Sequence, residues 1–176
     1  LGDVYKRQGK TSDDFHARFD AKKRTYIYII KNSEVPLGIE FDNFLWIRSR
    51  LNEKQMNKAA KKLLGEQDFS SFRASGCQSK SVIRRIYKAN VTSKGNYLIF
   101  EVTANAFLLN MIRIIVGTLI KVGKNEITPE DFEDIIKKRD RKLAGRTIEA
   151  KGLYFVGPEY NNLDYKVNKV FVNELD

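Results

Sequence analysis

Apolar positions along the chain alternate with a two-residue period in some stretches and recur with a helical period in others, with polar breaks between them. In KKRTYIYIIK (22–31), β-branched and aromatic residues crowd together. The pattern predicts a strand with Tyr26 and Tyr28 on one face and Thr25, Ile27 and Ile29 on the other. Residues 32–45, broken by Pro36 and Gly38, read as a loop. Asn52 then stands as a cap before EKQMNKAAKKLL (53–64), where Met56, Ala59, Ala60, Leu63 and Leu64 recur at helical spacing and Gly65 ends the run. The punctuated stretch 67–81 reads as a long polar surface loop carrying Phe69, Phe72, Arg73 and Lys80. Two strands follow, over 83–91 and 96–103, joined by SKGN (93–96), whose Gly95 supplies the turn a hairpin needs.

An apolar helix over 106–122 comes next, then a second helix opened by TPED (128–131). Thr128 caps it, Pro129 fits its first turn, and the acids suit its N-terminus. A short strand, 152–157, precedes a polar tail over 161–176. Residues 1–12, LGDVYKRQGKTS, have neither periodicity nor an initiating methionine, and read as a disordered leader, a cloning scar or a reading frame entered mid-gene. Strands and helices are segregated around a central hairpin. The expected architecture over 13–160 is one α+β domain, a largely antiparallel sheet flanked by helices.

The 176 residues are 42% hydrophobic and 31% charged, enough to build a core. Lys and Arg number 32 against 22 Asp and Glu, a net +10 that makes a polyanion the expected partner, nucleic acid first. Charge alone does not separate that reading from a soluble basic protein with solvated lysine-rich faces. Cys77 is the only cysteine and His16 the only histidine. No intramolecular disulfide can form, no metal site or Cys–His dyad is expected, and a reducing cytoplasmic compartment is favoured. The longest apolar run, 106–122, contains Asn110, Arg113 and Lys121 and falls short of the roughly 20 apolar residues that span a bilayer, so no membrane partner is expected.

Arg113 is the anomaly of that run. Removing a guanidinium from water costs several kcal/mol unless acceptors meet it. Either it snorkels along a groove to water, or a carboxylate held elsewhere faces it, an arrangement enriched at active sites. The acids of the chain lie near its start (Asp13, Asp14), beside basic residues (Asp20, Asp140), at helix starts (Glu130, Asp131) or in the tail, and none stands out as that partner.

HARFDAKKRTYIY (16–28), LGEQDFSSFRA (64–74), CQSK (77–80), ANAFLLNMIRIIVG (104–117) and AKGLYF (150–155) resemble, in this order and spacing, the C-terminal part of TruA-type tRNA pseudouridine synthases. The resemblance covers about 13–160. It implies a pseudouridine synthase fold, present here incompletely, in which two similar halves and a mixed sheet flank a cleft. It further implies cofactor-free isomerisation of uridines in the tRNA anticodon arm by a homodimer. Tyr26 matches the family tyrosine that stacks on the target uracil and takes part in proton transfer. Arg113 matches the arginine paired with the catalytic aspartate, and Leu153 the apolar residue of the pocket. Leu109 stands where the family often has a polar or aromatic residue. Arg18, Arg24, Arg73 and Lys80 are the candidates for holding phosphates.

The family's aspartate lies in an earlier block of the form GRTDAGVH, and no such string occurs in the 176 residues. AGRTIEA (144–150) has Gly145, Arg146 and Thr147 but Ile148 where the aspartate belongs, and it falls where the family has an ordinary link. The expectation is an enzyme by family whose nucleophile belongs to a front segment, so that these residues alone are inactive. Arg113 should then face a partly solvated cleft beside Tyr26 and Leu153, its charge relieved by water or a backbone carbonyl. A non-catalytic RNA-binding module is the alternative. A basic DNA-binding protein is a third reading, for which no DNA-reading motif is present.

Overall fold

The computed structural model describes residues 11–36 and 42–161. Most of the expected leader, the tail beyond residue 161 and Gly38 lie outside the described residues.

The alternation of the first strand sets the layers. In β1 (Lys23–Asn32), Tyr28 and Ile30 enter the main core with Tyr26 at its margin, while Ile27 and Ile29 join Phe44, Tyr97 and Ile99 on the opposite face. Along one edge β1 pairs in parallel with β2 (Leu45–Ile47), placing Ile30 opposite Leu45. The hairpin read from Gly95 is present: β4 (Ile83–Lys94) and β5 (Tyr97–Ala104) run antiparallel, with Gly95 at φ 54° between them. The edge strand β3 (Gly65–Asp68) pairs with β4, and β6 (Leu153–Glu159) lies antiparallel to β1. The order is β2-β1-β5-β4-β3, with β6 beside β1 on the same side as β2.

The helices α1 (Glu53–Lys61), α2 (Met111–Gly123) and α3 (Pro129–Lys138) contribute Met56, Ile115, Phe132 and their neighbours to the main core. Asn52 caps α1 by accepting from the Gln55 amide at 3.2 Å, and Thr128 and Asp131 close a capping box on α3. The result is the α+β architecture expected, a mostly antiparallel sheet flanked by helices.

Three local expectations are corrected. Residues 67–81 are not a surface loop throughout: β3 ends within them, Ser70–Phe72 forms a 3-10 turn, and Phe69 and Phe72 are fully buried. Their three-residue spacing matches one turn of a 3-10 helix, which drops both rings inward; Phe72 stacks on Phe132 of α3 at 5.8 Å. The loop expected over 32–45 runs directly into a short strand, β2. The apolar helix begins at Met111 rather than 106, because Asn110 adopts a left-handed conformation (φ 58°) that no helix continues.

Candidate active site

Tyr26 lies between Val102 of β5 and Phe155 of β6. Its ring meets Phe107 edge-on at a centroid distance of 5.3 Å and Phe155 at 4.9 Å with a 46° tilt. Phe107 belongs to the link between β5 and α2, and Phe155 is 55% exposed. Three aromatic rings thus form a shelf, one end of which meets solvent. Leu153 opens β6 opposite Tyr28 and packs half-buried at the margin of the main core.

Arg113 occupies the first turn of α2 and is half-buried. Its Nε donates to the carbonyl of Ile148 at 2.6 Å and its Nη1 to Oδ1 of Asn110 at 2.9 Å. Both acceptors are neutral. Among the described residues no carboxylate pairs with Arg113, and Nη2 donates to none of their acceptors. The expected relief by a backbone carbonyl is present, and a side-chain amide assists it.

Ile148 reaches Arg113 because the segment before β6 crosses α2 at two glycines. A Cβ on Gly117 would stand 2.1 Å from the Arg146 carbonyl oxygen, and one on Gly145 would stand 2.5 Å from the Gly117 carbonyl carbon. Only bare backbones pass this closely. The Gly145 amide donates to Thr118 Oγ1 at 2.8 Å, fixing the crossing. Of the residues that imitate the family's aspartate block, Gly145 and Arg146 therefore serve this contact, and Thr147 Oγ1 accepts from Arg141 at 3.2 Å. From the sheet side, the buried Tyr28 hydroxyl donates to the Glu149 carbonyl at 2.9 Å. Burial pushes this phenol well above its ordinary range; the Glu149 carboxylate adds to the rise, and the nearby Arg113 cation opposes it.

The family model for tRNA pseudouridine synthases matches residues 59–161, a stretch that holds Phe107, Asn110, Arg113, Leu153 and Phe155. The chain belongs to the tRNA pseudouridine synthase family. It is 45% identical over 157 residues to tRNA pseudouridine synthase A of Francisella philomiragia, covering 89% of this chain and 61% of that relative. To the protein of the same name in Vibrio campbellii it is 47% identical over 151 residues, covering 86% of this chain and 57% of the relative. The chain thus spans about three-fifths of the length of the curated relatives it matches.

The phosphate candidates of this family member divide into two pairs. Arg18 and Lys80 are exposed, Arg18 lying 6.0 Å from the Phe19 ring centroid. Arg24 and Arg73 spend donors on the protein itself. Arg24 reaches the carbonyls of Ala21, Asn105 and Arg18, and Arg73 those of Cys77 at 2.6 Å and Ser79 at 3.2 Å.

Sequence reasoning passed over Phe107 and Phe155, although each stands in a quoted family block. It also passed over a groove of about 1010 Å³ beside α2, lined by Arg48, Arg50, Lys121 and Arg146 among others. Among the described residues no group of three or more His, Cys, Asp or Glu side chains is placed to hold a metal, and no helix is long and apolar enough to cross a membrane.

Proposed function

We propose that this chain supplies the tyrosine–arginine side of a tRNA pseudouridine synthase active site. It acts on uridines of the tRNA anticodon arm when joined to an aspartate-bearing segment from outside these 176 residues. The observation that carries the reading is Arg113, whose guanidinium is held by two neutral oxygens and meets no carboxylate among the described residues. Isomerisation breaks the C–N glycosidic bond, turns the uracil and rejoins it through carbon, which calls for an ionised carboxylate at the reacting nucleotide. A guanidinium whose charge is unspent keeps such a carboxylate ionised. A uridine stacked in the anticodon arm must also leave its stack, and a ring such as Tyr26 then receives the flipped base.

No cofactor enters this chemistry. Exposed Arg18 and Lys80, together with the cations of the groove beside α2, meet the RNA backbone, whereas Arg24 and Arg73 shape the surface that carries them. The whole protein works in the cytoplasm as a homodimer, as the family resemblance implies.

The test joins this chain to the front segment of the Vibrio campbellii relative and follows tritium release from uridine-labelled tRNA. The chain alone is expected to be inactive and the joined protein active. Turnover by the chain alone would place the nucleophilic carboxylate within these residues and overturn the assignment. Salt-sensitive tRNA binding without turnover by the joined protein would instead establish the RNA-binding module.

A further inference from the structure

Asn110 sits at the N-cap of α2 and forgoes the usual work of that position. Its backbone is left-handed, with φ 58° and ψ 9°, and its side chain makes no capping hydrogen bond. An asparagine at an N-cap ordinarily accepts from an amide of the first turn, and a non-glycine residue enters the left-handed region at a cost. Here Oδ1 accepts instead from Nη1 of Arg113 at 2.9 Å, while Nε of the same guanidinium donates to the Ile148 carbonyl at 2.6 Å. Two fixed acceptors, one on each side of the Arg113 side-chain end, set the plane of the guanidinium and leave Nη2 without a partner among the described residues.

We propose that Asn110 is a positioning residue for Arg113, orienting the guanidinium toward an anionic partner while leaving its charge unspent. The proposal rests on the functional reading above for what that partner is, a carboxylate at the reacting nucleotide. Neutrality is the telling property. An aspartate at this position would be favoured by the helix dipole and would also ion-pair with Arg113. That pair would compete with the incoming carboxylate for the same cation. Asparagine supplies the acceptor without the charge.

Two substitutions separate positioning from structural support. Asn110→Gly keeps the left-handed backbone, which glycine adopts freely, and deletes only the acceptor. In the chain as it stands, NMR of this variant should show the Arg113 Nε–H exchanging with water about tenfold faster. The melting temperature should be unchanged or raised. In the joined protein, Asn110→Gly should lower kcat about tenfold to a hundredfold with KM for tRNA unchanged, the scale of a small misplacement of a catalytic group.

Asn110→Asp should move stability and activity in opposite directions, raising the melting temperature while lowering kcat. A residue that merely supports the helix would move both together. Unchanged Arg113 exchange in Asn110→Gly, or an Asn110→Asp enzyme with undiminished kcat, overturns the proposal. If the joined protein never turns over tRNA, the functional reading fails and the exchange measurement alone decides whether Asn110 positions Arg113.

Discussion

Tyr26 and Tyr28, on the same face of one strand, serve different ends. Tyr28 is fully buried and spends its hydroxyl on the Glu149 carbonyl, whereas Tyr26 stops at the core margin among Phe107 and Phe155. Tyr28→Phe should therefore lower stability by about 1 kcal/mol in denaturant titrations, the net worth of one hydrogen bond. Phe155→Ala should barely move stability, since that ring is already 55% exposed. It should weaken substrate binding by the joined protein by about 1–3 kcal/mol, the usual value of one base-stacking ring. Arg113→Met should destabilise the chain by about 1–2 kcal/mol, because the carbonyl of buried Ile148 loses its donor. The sequence shows that Arg113 needs acceptors. It does not show which, because one of them is a main-chain carbonyl 35 positions away and backbone atoms leave no mark on residue type.

At the scale of elements, the crossing of α2 by the 141–152 segment is the joint on which the site depends. Gly117→Ala places a methyl group against the Arg146 carbonyl, and backbone cannot yield as a flexible side chain does. A loss of at least about 2 kcal/mol is expected by thermal melting, with weakened Arg113 Nε–H protection as its local sign. The elements that sequence made legible carry a local signature: the strict alternation of β1, the Gly95 turn, and the Thr128–Pro129 opening of α3 with its acids. The elements it hid lack one. β2 is only three residues long, and Phe69 and Phe72 stand among serines, so their inward turn becomes visible only with Phe132 beside them. The start of α2 was misplaced because apolar residues 106–109 continue the helical pattern while Asn110 interrupts the backbone.

Across the molecule, α3 is tied to the end of α1 by an ion triad. Glu133 accepts from Lys62 at 2.7 Å and from Lys137 at 2.9 Å. These hydrogen bonds, from Lys62 first and then Lys137, hold its carboxyl at about 2, below its ordinary 4.5. A carboxyl depressed on folding stabilises above its unfolded value and loses that contribution as pH falls through its folded one. The melting temperature of the native chain should thus approach that of Glu133→Gln as pH drops from 4.5 toward 2, and the gap at neutral pH should shrink in high salt.

The pairing of β1 on both sides has a consequence for synthesis. One antiparallel neighbour, β5, is complete at Ala104, but the other, β6, ends only at Glu159. At ribosomal speeds of about 5–20 residues per second, β1 waits on the order of ten seconds after its own emergence before that edge can close. During this interval a tyrosine- and isoleucine-rich strand offers unpaired amides to any passing chain. The nascent protein should therefore engage a chaperone until β6 arrives, and the strand that carries Leu153 and Phe155 to the candidate site is also the clasp that ends this exposure.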